Sequence, residues 1–118
     1  MRPFITVVLL LMVVSCAGWL RAAQNTPYTI YGPVTDSCGT WTAEIQRSTV
    51  NATVLRWWML GYISGASAAL ATVADIALAE TDTDGIHGWI TKYCTEHPLD
   101  SLQTAGAMLL VELREGQS

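Results

Sequence analysis

The sequence predicts an all-α protein: a small bundle of about four helices, one disulfide, and an extended N-terminal arm. Three observations predict it. The longest periodic stretch, Asn51 to about Ala79, contains no proline and is rich in Leu, Ala, Met and Trp. Shorter apolar stripes at helical spacing follow it, each preceded by Thr, Asp or Ser residues that serve as helix caps. Two cysteines, Cys38 and Cys94, bracket the long stretch.

The chain begins with a leader. Met1-Arg2-Pro3 gives a short positive start, Phe4 to Val14 is apolar apart from Thr6, and small residues follow at Ser15, Ala17, Gly18, Ala22 and Ala23. This is the layout of a signal peptide over residues 1–23. Cleavage after Ala17 and cleavage after Ala22 or Ala23 are both open. Val13-Val14-Ser15-Cys16 also matches a lipobox, in which Cys16 is acylated and becomes the new N-terminus. Cys16 is then either a lipidation site or part of a discarded leader, and an uncleaved membrane anchor is the third alternative. Each of these places the domain outside the cytoplasm, as a periplasmic or secreted protein or as a membrane-tethered lipoprotein.

In an oxidising compartment the remaining pair, Cys38 and Cys94, is expected to form a structural disulfide, with two free thiols as the alternative. Of 118 residues, about 95 remain after the leader, enough for a single modest core. Residues 24–37, with Pro27, Gly32 and Pro33 among polar residues and no sustained period, read as an extended arm. Residues 38–118 form the helical domain.

Within that domain, Thr40 to Ser48 reads as a short helix with Thr40 at its start and Cys38 just before it. Asn51 to about Ala79 is apolar on nearly every face from Trp57 to Ala74, which reads as a central buried helix or a membrane span. A span would put Cys38 and Cys94 on opposite sides of a bilayer, so the disulfide favours the buried helix. Gly61 and Gly65 make a GxxxG spacing and, with Ala68, Ala69 and Thr72, leave one helix face with little bulk. The expected use is a tight crossing inside the bundle; the alternative is a contact in a homodimer. Glu80 to Gly85 is a polar turn, and Ile86, Trp89, Ile90 and Tyr93 mark a third helix from about Asp84 to Thr95. His97-Pro98 stops it. Asp100 or Ser101 caps a fourth helix whose stripe is Leu102, Ala105, Leu109 and Leu113, ending at Glu115-Gly116.

Past residue 23 the four basic residues Arg47, Arg56, Lys92 and Arg114 stand against ten acidic ones, a net charge of −6 with His neutral. No basic cluster exists, so nucleic acid is not an expected partner, and a membrane is one only through lipidation at Cys16. A cationic protein partner fits better.

Three places carry side chains with chemical potential. His87 and His97 with Asp82 and Asp84 lack metal-ligand spacing: Gly85 falls at position four of a calcium-type loop instead of six, and no glutamate stands at position twelve. Helix capping explains those aspartates. Ser64, in Gly61-Tyr62-Ile63-Ser64-Gly65, lacks the glycine a nucleophile elbow needs two residues earlier and reads as a buried packing residue. Cys94 beside His97 is a nucleophile only if free. No catalytic residue, cofactor or metal site is expected. Trp57 and Trp58 point to different sides of one helix, so at least one is expected at a surface or interface.

Several segments together resemble a known group. They are Cys38-Gly39-Thr40-Trp41, Trp58-Met59-Leu60-Gly61-Tyr62-Ile63-Ser64-Gly65, Asp84-Gly85 with Trp89-Ile90 and Tyr93-Cys94, and His97-Pro98-Leu99-Asp100. Over about Cys38 to Leu113 the chain resembles the HdeA-like and type VI amidase-immunity (Rap/Tai) group of small periplasmic helical proteins. The resemblance implies an all-helical fold with one disulfide. It also implies one of two functions: stoichiometric inhibition of a secreted cell-wall amidase, or acid-activated chaperoning of unfolded periplasmic clients. Both are non-enzymatic protein binding.

Overall fold

The computed structural model describes residues 28–116, which form four helices: α1 Cys38–Arg47, α2 Val50–Ala74, α3 Thr83–Glu96 and α4 Leu102–Glu115. The segment expected to be a signal peptide, residues 1–23, and Cys16 within it lie outside the described residues. Each helix touches the other three, as a four-helix bundle around one core requires.

The helix boundaries follow from side-chain capping. Ser37 Oγ accepts from the Thr40 amide at 3.1 Å, so α1 starts two residues before Thr40 and Cys38 is its first residue. It ends at Ser48, whose φ of 51° is left-handed and directs its N–H back to the carbonyls of Glu44 and Ile45. Thr49 does two jobs at the next boundary: its Oγ1 donates to the Glu44 carboxylate and accepts from the Ala52 amide. Asp82 Oδ1 accepts from the Gly85 amide at 2.7 Å, and Ser101 Oγ from the Thr104 amide at 3.1 Å, starting α3 and α4.

The central helix is shorter than its apolar sequence suggests. α2 ends at Ala74, because Asp75 takes a left-handed φ of 53° and its N–H returns to Leu70 O. The chain then runs without helix from Asp75 to Asp82 and is pinned to α4 where Ala79 N–H donates to Leu113 O at 2.8 Å. α2 is also less buried than expected. Only Ala52, Leu55, Met59 and Ile63 are buried, one stripe in its N-terminal two thirds, and no residue beyond Ile63 is. No helix among the described residues is long and apolar enough to cross a membrane.

The core is built around the cysteine pair. Cys38 and Cys94 form the disulfide, with S–S 2.06 Å and Cα–Cα 4.6 Å across a sequence separation of 56. Both cysteines are fully buried beside Trp41, Leu55, Met59, Ile90, Leu102 and Leu109. The chain flanking the bond is tied down as well: Cys38 N–H donates to Asp100 O at 2.7 Å, Gly39 N–H to Pro98 O at 2.9 Å, and Leu102 N–H to Asp36 O at 2.9 Å. Residues 28–37 are irregular and rest on the bundle. Gly32 turns there with φ 114°, a conformation that favours glycine, and the Trp58 indole occupies the space a side chain would need.

Gly61 and Gly65 do not serve an intramolecular crossing. A Cβ built on either meets nothing within 4 Å. The close approach is made by Gly106 of α4, where a Cβ would lie 2.6 Å from Tyr62 Cε1 and 3.3 Å from Met59 Sδ. The reason is geometric. The buried stripe of α2 fixes which side faces the bundle, and Gly61 and Gly65 fall on the other side.

Candidate functional site

The middle of α2, the returning segment from Asp75 to Asp82, the start of α3 and the end of α4 enclose an open cleft of about 370 Å³. Its lining is Ile63, Ser64 and Ser67 of α2, Leu78, Ala79, Glu80 and Thr81 of the returning segment, Ile86 of α3 and Leu113 of α4. The left-handed turn at Asp75 creates the cleft by folding the chain back, and the Ala79 to Leu113 hydrogen bond holds its far wall. Its volume falls in the range of small binding pockets.

The lining is divided chemically. Ile63, Leu78, Ile86 and Leu113 supply apolar surface, while Ser64, Ser67 and Thr81 offer hydroxyls and Glu80 a carboxylate. Asp75, Glu80, Asp82 and Asp84 are all exposed on or beside the returning segment, and no lysine or arginine occurs between Arg56 and Lys92. Glu80 is the one charged residue of the lining, with Arg114 next to Leu113 in sequence, and an apolar lining beside a carboxylate can take a lysine or arginine side chain, whose alkyl stem packs while its head stays near Glu80.

Of Ser64, Asp82, Asp84, His87, His97 and Cys94, Ser64 alone lines the cleft, and the others lie elsewhere or are tied up. Ser64 is exposed in the cleft wall, which corrects the expectation that it is buried in packing. Asp82 caps α3 as expected. His87 lies near Trp41, ring centroids 6.2 Å apart, with its Nε2 3.4 Å from Arg56 O. His97 sits at the opposite end of α3. Ten helical positions separate the two imidazoles by about 15 Å of rise. Among the described residues no group of three His, Cys, Asp or Glu side chains is gathered as metal ligands. Cys94 is consumed by the disulfide.

Most aromatic residues of the helices are stacked or packed, whereas Trp57, like Tyr28 and Tyr31 of the segment before α1, is exposed. Trp58 stacks on Tyr62 at 5.5 Å and donates from Nε1 to Tyr31 O at 2.8 Å. Trp89, Tyr93 and His97 stack in series along α3, at 5.4 and 4.4 Å. The Tyr93 hydroxyl donates to Asp100 Oδ2 at 2.6 Å, and that hydrogen bond, with lesser help from burial and the carboxylate charge, holds its pKa above the ordinary 10.0. Burial similarly raises Tyr62, helped by Tyr28. Trp57 has no such partner and is 71% exposed. A smaller groove of about 250 Å³ lies against Trp89, Lys92, Tyr93, Glu96 and Glu112, with charges of both signs.

The cleft was not legible from the sequence. Glu80 and Thr81 read only as part of a polar turn, and Leu113 only as a core-facing residue. No local pattern announces that a left-handed aspartate will bring them opposite Ser64 and Ser67. No protein-family model matches the chain, and no match is found among curated proteins or solved structures.

Proposed function

We propose that this chain is an exported, non-enzymatic protein-binding module, and within that class an immunity-type inhibitor that holds a secreted cell-wall amidase inactive. The observation that carries the reading is the cleft between α2 and the returning segment. Its apolar lining and the carboxylate of Glu80, with exposed Asp82 and Asp84 following in sequence, suit a basic loop on a partner. The resemblance in sequence supplies the amidase as the partner class.

Co-purification with cell-wall amidases encoded beside the gene, followed by an inhibition assay, tests it. The expected result is a one-to-one inhibited complex that weakens as salt rises. Glu80→Lys combined with Asp82→Lys should loosen it by at least tenfold. Failure to bind any such amidase defeats the immunity reading. Protection of unfolded clients near about pH 3, where carboxylates protonate, without amidase affinity would place the protein with the acid-stress chaperones instead.

A further inference from the structure

α2 has two apolar faces, and the bundle uses one. At about 100° per residue, the buried stripe of Ala52, Leu55, Met59 and Ile63 leaves a diametrically opposite face that is exposed along its whole length. That outward face is graded in size. Val50, Val54 and Trp57 fill its N-terminal half and are exposed by 84, 53 and 71%. Gly61, Gly65, Ala68 and Thr72 continue it, all exposed, with open space above both glycines.

We propose that this face is the contact between two copies of the chain, with the two α2 helices antiparallel about a two-fold axis at Gly61. In that register Trp57 lies over the partner's Gly65, Val54 over the partner's Ala68, and Val50 over the partner's Thr72. Each bulky side chain meets a small one, and the glycines at the axis let the backbones approach. The face is self-complementary, as a two-fold contact requires. A parallel pair would press Trp57 against its own copy and leave a void between the alanines.

Charge favours the same arrangement. Arg56 is the sole charged residue from Val50 to Ala74 and lies off the outward face, so the acidic character of the protein does not set two copies against each other there. A cationic partner finds no carboxylate on this face to pair with. Antiparallel order brings the partner's Asp75, which caps the C-terminus of α2, toward the N-terminal end of α2, where a carboxylate is favourable. Parallel order would place each of these against its like. The face runs about 33 Å at 1.5 Å per residue. With Trp57 alone offering on the order of 150 Å², two such faces approach the roughly 1,000 Å² of a specific contact. Ser64 lies at the edge of this face and also lines the cleft, so the contact borders the cleft without covering its α3 and α4 walls, and the pairing does not depend on the amidase reading.

Sedimentation equilibrium on the full chain as recovered from cells, from micromolar to millimolar concentration, tests the pairing. The expected result is a monomer–dimer equilibrium. Gly65→Leu, which fills the notch for Trp57, should weaken it at least tenfold while leaving the melting temperature of the dilute monomer unchanged or higher, since the site is open and leucine favours helix. Adding Trp57→Ala to Gly65→Leu exchanges large for small and should restore the dimer. A monomer at every concentration, a dimer indifferent to Gly65→Leu, or an exchange that restores nothing overturns the proposal.

Discussion

The indole N–H of Trp41 in α1 donates to Oγ1 of Thr91 in α3, 3.0 Å away and fifty positions along the chain. Trp41 is fully buried, so this one polar atom in the core is satisfied by a side chain from the helix that also carries Cys94. Two links, one covalent and one through a hydrogen bond, therefore join α1 to α3. Thr91→Val keeps the shape and strands the indole N–H, which should cost about 1–3 kcal/mol. Trp41→Ala should cost about 3–5 kcal/mol through the cavity it leaves. Urea unfolding followed by circular dichroism measures both.

Removing the disulfide should cost more than most single contacts. On the chain-entropy account, opening a loop with a sequence separation of 56 loosens the fold by about 4 kcal/mol. Cys38→Ala with Cys94→Ala is expected to lower the urea midpoint by a corresponding amount, and added reductant should do the same to the unaltered protein. An unchanged midpoint in both would show that the bundle stands without the bond.

The glycines separate into two kinds by what surrounds them. Gly106→Ala drives a methyl group into Tyr62 and is expected to destabilise by about 1–3 kcal/mol despite the better helix propensity. Gly88→Ala in α3 meets nothing within 4 Å and should stabilise by up to about 1 kcal/mol. Opposite shifts in melting temperature check the pair.

Alkaline stability should depend on Tyr93. Its pKa is raised in the folded protein by the hydrogen bond to Asp100, so the folded state favours the protonated phenol. The resulting stabilisation is complete below the ordinary value of 10.0 and is lost as pH rises through the higher folded value. Melting temperature should therefore fall above about pH 10, and Tyr93→Phe should flatten that fall. Part of the slope should persist, because Tyr62 is raised as well.

Helix count, order and the disulfide pair were legible because each depends on local or compositional signals. Ser and Asp caps, the His97-Pro98 stop and two cysteines bracketing the long apolar stretch need no knowledge of the fold. The C-terminal limit of α2 was not legible. Ile76 to Ala79 is as apolar as the helix before it, and only the left-handed backbone at Asp75, together with the hydrogen bond from Ala79 to Leu113, takes it out of the helix.

By itself, the sequence determined an all-α chain with one disulfide and a net acidic charge, since periodicity, capping and charge are properties of neighbouring residues. Only the tertiary structure decided which side of α2 meets the core. A helix that is apolar all round has no pattern to orient it. Its orientation is set by what Trp41, Ile90 and Leu109 leave room for. That choice turned Gly61 and Gly65 outward, gave the close crossing to Gly106, and brought Glu80 opposite Ser64 to form a cleft.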